Sequence, residues 1–278
     1  MGILNITPDS FSDGGLYLDK DKAVEHGLRM AAQGADIIDI GGESTRPGSE
    51  PVSEEAERER ILPIVASLKK HTDALISIDS MKSGVARAAI EEGADIINDI
   101  SAMRYNPDML ALAIDTNTPV ILMHMKGTPK TMQIRPHYDD VIAEVHDFFE
   151  ERIGWAVTNG LEREKIIIDP GIGFGKRLQD NLALIRNLHS FKSLDQPILI
   201  GISRKSFIGK ILDLPLNERV EGGIASAVIS VCQGAHILRV HDVDAFKRAV
   251  TVADAIMSAD GSGQISPSQI NTRRNHVN

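Results

Sequence analysis

Eight short apolar runs, rich in Ile, Val and Leu, recur along this chain, and a longer amphipathic segment follows each of them. The runs are centred on Ile3–Ile6, Asp36–Ile40, Leu75–Asp79, Asp95–Asp99, Val120–His124, Ile166–Asp169, Ile198–Ile202 and Ile237–His241. The segments between and after them carry apolar residues at helical spacing, near Asp21–Gln33, Ser53–Lys70, Ser83–Glu92, Asp108–Asn117, Asp139–Asn159, Asn181–Ser190, Arg219–Gln233 and Val243–Ser258. Regular strand–helix alternation implies parallel strands joined by helical crossovers. Eight such units in 278 residues predict an α/β fold of the (β/α)8 TIM-barrel type, with its active site at the C-terminal ends of the strands. A doubly wound open sheet is the structural alternative. One domain is expected over 1–260. The tail 261–278 is rich in Ser, Gln, Asn and Arg without apolar period, and is expected to be disordered.

Composition narrows the function classes. A net charge of −9 argues against a nucleic-acid surface, which needs clustered Lys and Arg. The single cysteine, Cys232, excludes an internal disulfide or a cysteine-cluster metal site. Its apolar neighbourhood predicts a buried structural thiol. No stretch is long and apolar enough to cross a membrane, and the first residues read as a strand, not a signal peptide. A soluble cytoplasmic protein is the expectation.

Polar residues interrupt the apolar runs at matching places. Gly34-Ala-Asp-Ile-Ile-Asp-Ile40, Gly93-Ala-Asp-Ile-Ile-Asn-Asp-Ile100 and Gly234-Ala-His-Ile-Leu-Arg-Val-His241 share one pattern. Each Gly fits a left-handed helix end. In this register Asp39, Asn98 and Arg239 are equivalent, which predicts a ring of polar groups facing one pocket. Asn5, Asp79, Asn98, Asp169, Arg239 and His241 lie at strand ends, and Lys205 lies just beyond the seventh. Buried groups of this kind need partners. Asp79, Asn98, Asp169 and Lys205 suit a flat heterocycle with an amidine-like edge, where a carboxylate accepts two parallel N–H bonds. Thr45, Arg239 and His241 suit phosphate oxygens. Asn5 offers a neutral oxygen to Mg²⁺, which needs few protein ligands when phosphate is present.

Other motifs carry less. Gly171-Ile-Gly-Phe-Gly175 has the wrong spacing for a dinucleotide fingerprint. Ser203-Arg-Lys-Ser206 lacks a nucleophile elbow. His124 lacks the paired histidine of barrel metal hydrolases and reads as a packing or pocket-wall residue. The charge run Glu54–Arg60 reads as a solvated helix face.

Taken in order, Gly2–Gly15, Gly41–Gly48, Ser77-Ile-Asp-Ser80, Asn98-Asp99, Leu122-Met-His-Met125, Asp169-Pro-Gly171 with Phe174-Gly-Lys176, Ser203-Arg-Lys-Ser206 and Arg239-Val-His-Asp242 give a chain that resembles the dihydropteroate synthase family of bacterial folate biosynthesis. The resemblance runs from the first residue to about Ala253. It implies a transferase that joins 6-hydroxymethyl-7,8-dihydropterin diphosphate to 4-aminobenzoate and releases pyrophosphate. It implies Mg²⁺ as cofactor and a homodimer. By position, Asp79, Asn98, Asp169 and Lys205 match pterin-binding residues. Thr45, Arg239 and His241 match diphosphate contacts, and Asn5 matches the metal ligand. Arg46, Pro47, Phe174 and Ser206 match the aminobenzoate region, where sulfonamides also bind. Family members usually carry a leader before the first strand; this sequence opens inside that strand, so the expectation is either a trimmed chain or a more exposed barrel floor.

The residues expected to carry catalysis are Arg239, His241, Lys205, Asp79 and Asp13. The set suggests a dissociative substitution in which Arg239, His241, Thr45 and Mg²⁺ stabilise the departing pyrophosphate. The arylamine is neutral at pH 7, so no strong base is needed. Asp13 and Arg46 are expected on loops that close over the site. A pterin-dependent methyltransferase domain would not need a diphosphate grip, and a non-catalytic pterin-binding paralogue would not need both loops.

Overall fold

The computed structural model describes residues 1–6, 16–44 and 50–259; side chains are described for all of these except 16–19. The strands are β1 (Gly2–Asn5), β2 (Ile37–Gly41), β3 (Leu75–Asp79), β4 (Ile96–Asp99), β5 (Val120–Met123), β6 (Ile166–Asp169), β7 (Leu199–Gly201) and β8 (Ile237–Arg239). The helices are α1 (Leu16–Ala32), α2 (Glu54–His71), α3 (Ser83–Glu91), α4 (Asp108–Asp115), α5 (Val141–Thr158), α6 (Leu178–Arg186), α7 (Ser206–Leu212), α8 (Val220–Cys232) and α9 (Val243–Ser258).

Strands β1 to β6 pair in parallel in chain order, and β7 pairs with β8. Two further bridges join the pieces. Ile168 meets Ile198, and Gly2 meets Val240. Ile3 N donates to Val240 O at 2.9 Å, and Val240 N donates to Met1 O at 3.0 Å. The ring is therefore closed, as in a (β/α)8 barrel, and the open-sheet alternative is excluded. One crossover departs from the expected pattern. Two helices, α7 and α8, lie between β7 and β8; the sequence reading missed α7, because seven residues are too few to display a helical period.

Side-chain alternation sorts each strand into an inner and an outer set. The outer set, including Ile38, Ile40, Ile76, Ile78, Ile97 and Ile200, packs under the helices in the main core. The inner set is layered. Met1, Ile37, Ile96, Ile121 and Leu199 are buried at the N-terminal end and fill the floor, with Leu75, Ile167 and Ile237 against them. Two residues further along the same strands stand Asp39, Ser77, Asn98, Met123, Asp169, Gly201 and Arg239. The period of two thus turns an apolar floor into a polar layer nearer the C-terminal ends.

Local chemistry starts and stops the helices where this requires. Ser53 caps α2 by accepting from Ala56 N at 3.2 Å, and Asp140 caps α5 by accepting from Ile142 N at 2.9 Å. Gly34, Gly93 and Gly234 have φ of 92°, 104° and 103°, the left-handed conformation that ends a helix and feeds a strand at once.

Two expectations fail on helix faces. Cys232 is exposed, not buried. It lies one turn beyond the exposed Ile229 on the outward face of α8, while Ala227, Ser230 and Val231 face inward. An apolar run on a helix does not specify which of its members meets the core. In the charge run of α2, Arg58 and Glu54 form the expected exposed i,i+4 pair at 3.9 Å, but Glu57 is 1% exposed.

Candidate active site

The polar layer opens into a cleft lined by Asp79, Asn98, Asp169, Phe174, Lys205 and Arg239, with Ile100, Met123, Ile172 and Gly201. All four residues matched to pterin binding lie on one wall system, contributed by β3, β4, β6 and the β7–α7 loop.

Asp39 organises this wall from below. Fully buried, its carboxylate accepts from Ser77 Oγ at 2.6 Å, from Asn98 Nδ2 at 3.1 and 3.3 Å, and from Arg239 Nε at 2.6 Å. The three equivalent repeat positions therefore meet in space. Since Asn98 donates downward to Asp39, its carbonyl oxygen is left for a donor in the cleft. Arg239 also donates from Nη2 to Asp79 at 2.7 Å. The groups sorted into heterocycle and phosphate sets thus share a border at the Arg239–Asp79 pair.

Burial shapes the charges. It pushes the Asp79 carboxyl up to about 7, against the pull of Arg239 and with the help of Asp39. Burial also raises the Asp169 carboxyl, opposed by the Gly171 N–H bonded to its Oδ1 at 2.8 Å. Lys205 is lowered to about 8 by burial and by neighbouring Arg239, and its Nζ lies 4.3 Å from the Phe174 ring centre. Arg239 is held above the ordinary guanidinium value: burial opposes its charge, but Asp39 and Asp79 outweigh burial.

The β6–α6 loop is fixed by groups that sequence reasoning left unassigned. Buried Lys176 donates to Gly171 O at 3.0 Å, Phe174 O at 3.1 Å and His124 Nδ1 at 2.9 Å. His124 is thereby a satisfied core histidine, edge-on to Phe148 at 4.8 Å. Gly171 is required for a second reason: at φ 69°, a Cβ there would collide with the His124 carbonyl. Ser77 and Met123 could have been found by extending the period of two from the floor, and Lys176 from its place in the quoted Phe174-Gly-Lys176 motif.

Other assigned residues sit differently. His241 lies beyond the cleft lining; its Nδ1 is 3.1 Å from Ser203 Oγ, and burial with neighbouring Arg204 lowers it to about 4. Ser203 orients this ring and is not on a nucleophile elbow. Ser206 begins α7, is exposed, and does not line the cleft. Asn5 ends β1 beside Gly41. A methyl on Gly41 would come within 3.6 Å of Asn5 Oδ1 and 3.5 Å of Asp79 Cβ. No hydrogen bond ties the Asn5 side chain to another described residue, so its oxygen at the mouth fits a hard cation such as Mg²⁺. Asp13, Thr45, Arg46 and Pro47 lie outside the described residues.

The profile of the pterin binding enzymes matches residues 1–241. Dihydropteroate synthase of Escherichia coli K12 is 48% identical over 259 residues, covering 93% of this chain and 92% of the relative. That of Synechocystis is 49% identical over 257 residues, covering 92% and 89%. Among solved structures, the Yersinia pestis enzyme in a sulfonamide complex superposes with a TM-score of 0.88 at 45% identity, covering 93% and 94%. The Xanthomonas albilineans enzyme with 7,8-dihydropteroate gives 0.85 at 43%, covering 94% of each chain. This chain belongs to the dihydropteroate synthase family of pterin-binding enzymes.

Proposed function

We propose that this chain condenses 6-hydroxymethyl-7,8-dihydropterin diphosphate with 4-aminobenzoate to form 7,8-dihydropteroate and pyrophosphate. The observation that carries the reading is the convergence of Asp79, Asn98, Asp169, Lys205 and Arg239 on one cleft of a family fold.

Asp169 keeps one oxygen on Gly171 N–H and turns the other to the cleft, where a pterin's paired N–H groups find an acceptor. The Asn98 carbonyl adds a second acceptor. Lys205 brings a donor above the Phe174 ring. Arg239, pinned through Nε and Nη2, keeps Nη1 without a partner among the described residues. Its fixed charge meets the oxygens of the leaving diphosphate, and preorganisation of this kind stabilises charge as it develops. Thr45 and His241 are proposed to share that role, with His241 neutral at pH 7. Asn5 would hold Mg²⁺, which when bound supplies positive charge to the diphosphate. The 4-aminobenzoate side is assigned to Phe174 with Arg46, Pro47 and Ser206, and sulfonamides are proposed to compete there, as the Yersinia pestis complex suggests. Asp13 belongs to the loop proposed to exclude water.

The chain is further proposed to pair with a second copy through α7, α8 and α9. Ile211, Leu212, Ile229, Val252 and Ile256 are exposed there, beside Cys232. No helix among the described residues is long and apolar enough to cross a membrane. A cytoplasmic site of action is proposed for this chain. Incubation with both substrates and Mg²⁺, followed by mass spectrometry, tests the reading. A dihydropteroate product is expected; tight pterin binding without product would favour the non-catalytic paralogue.

A further inference from the structure

Arg204 occupies a backbone position that does not suit it. Lys205 N donates to Ile202 O at 3.4 Å, closing a turn after β7, and Arg204 holds the third position of that turn with φ 58°. Such a position favours Gly or Asn, because a Cβ is crowded in the left-handed region. Another residue persists there only where its surroundings hold it. For Arg204 the hold is a fork. Its Nε donates to Asp242 Oδ2 at 3.1 Å, and its Nη2 donates to Asp242 Oδ1 at 2.6 Å. Paired charge-assisted bonds of this kind fix direction as well as distance.

The fork is one of two ties between the β7–α7 and β8–α9 loops. Strand pairing ends with Gly201 opposite Arg239. Two residues on, His241 N donates to Ser203 Oγ at 3.3 Å. One residue further stands the Arg204–Asp242 fork. The loops are thus cross-tied by side chains just where the backbone ladder stops. Arg219 Nη1 adds a bond to the Arg204 carbonyl at 3.4 Å. Lys205 is the next residue, extended at φ −63° and ψ 152° where α7 begins. Its ammonium stands 4.3 Å from the Phe174 ring centre, and only longer-range charges act on it: Arg239, Asp169 and Asp79. A lysine stem is flexible, so its direction depends on how firmly its backbone is held.

We propose that Arg204 is a positioning residue for the pterin: its fork to Asp242 holds the left-handed turn that aims Lys205 into the cleft. Arg204 does not itself line that cleft. Two simpler roles are separable from this one. If the turn needed only its backbone shape, Gly would serve as well, since it adopts positive φ freely. If the site needed only a positive charge, Lys would serve, although an ammonium cannot form the planar fork. The proposal rests on the reading of Lys205 as a pterin contact.

The test is calorimetric binding of 6-hydroxymethylpterin to Arg204→Gly and Arg204→Lys, with hydrogen exchange on the latter. Both variants should bind the pterin about tenfold or more weakly, the scale set by a displaced positioning group. In a Lys205→Met background, Arg204→Gly should add less than about threefold, because both changes act through one ammonium. Amide exchange in Arg204→Lys should quicken across 203–206 and stay slow in β7 and β8. If the Arg204 variants do not fold, Asp242→Asn carries the test. It weakens the fork from the other side and should cost about threefold or more in pterin affinity, again only while Lys205 is present. Wild-type affinity in Arg204→Gly would reduce the role to backbone shape, and wild-type affinity in Arg204→Lys would reduce it to charge. Either result, or losses that add in the Lys205→Met background, would overturn the proposal. Wild-type protein that binds no pterin would refute the reading of the cleft instead, and exchange across 203–206 would then decide whether the fork holds the turn.

Discussion

Replacing Asp39 by Asn should disable the site without touching a cleft-lining residue. Every group around the Asp39 carboxylate is arranged to donate: Ser77 Oγ, Asn98 Nδ2 and Arg239 Nε. An amide has one accepting oxygen and two N–H donors. Its best placement keeps the oxygen on Arg239 and turns the NH2 to Ser77, whose hydroxyl can reverse and accept. Arg239 then exchanges a charge-assisted bond for a neutral one, a loss of about 1–2 kcal/mol. Asn98 loses much of its anchor, at about 1–2 kcal/mol more. The sum, roughly 2–4 kcal/mol, corresponds to a fall in kcat/KM of roughly 30- to 1,000-fold. Removing a carboxylate also relieves repulsion between Asp39 and Asp79, so the melting temperature should suffer less than activity. The assay is steady-state turnover with calorimetric pterin binding and a thermal melt. Ser77→Ala is the control. It removes one donor and should cost only about 1 kcal/mol. Asp39→Asn activity within about threefold of wild type would refute the idea that Asp39 sets Asn98 and Arg239.

Further outcomes are expected. Arg239→Ala should lower kcat by about 100-fold or more in turnover assays, as loss of an oxyanion donor does; an unchanged kcat would remove it from the leaving-group role. Asp169→Asn should mainly weaken pterin binding in calorimetry, because one acceptor becomes a donor facing N–H groups; normal affinity would refute the heterocycle assignment. The Asp79 carboxyl, held near 7, should give kcat/KM for the pterin substrate an inflection near that pH. Activity should fall on acidification from 8 to 6, as the acceptor takes a proton. The same group should make the fold less stable as pH rises from about 4 to 7. There the folded state retains a proton that the unfolded chain has released. Melts of wild type and Asp79→Asn across that range should differ in slope; parallel curves would contradict it.

Much of the barrel was legible because its signals are local. Gly34, Gly93 and Gly234 mark helix ends through a backbone requirement, and the strands after them are too apolar to be loops. The polar interruptions Asp39, Asn98 and Arg239 exposed the site because strand alternation forces all three into one interior. Side-chain partnership was not legible. The sequence sorts Arg239 with phosphate and Asp79 with the heterocycle, whereas the fold places them 2.7 Å apart across 160 residues. Glu57 reads as one charge among many, since nothing local to α2 announces that Lys82 will lie beneath it. Cys232 misled for the opposite reason: its neighbours are apolar, but the outward face of α8 is apolar too.

The most direct test of the central claim is pyrophosphate release from 6-hydroxymethyl-7,8-dihydropterin diphosphate and Mg²⁺, measured with and without 4-aminobenzoate. Release that depends on the arylamine and matches dihydropteroate formation mole for mole is the predicted result. Release that ignores the arylamine, or no release despite measurable pterin binding, would contradict the assignment of this cleft to the condensation.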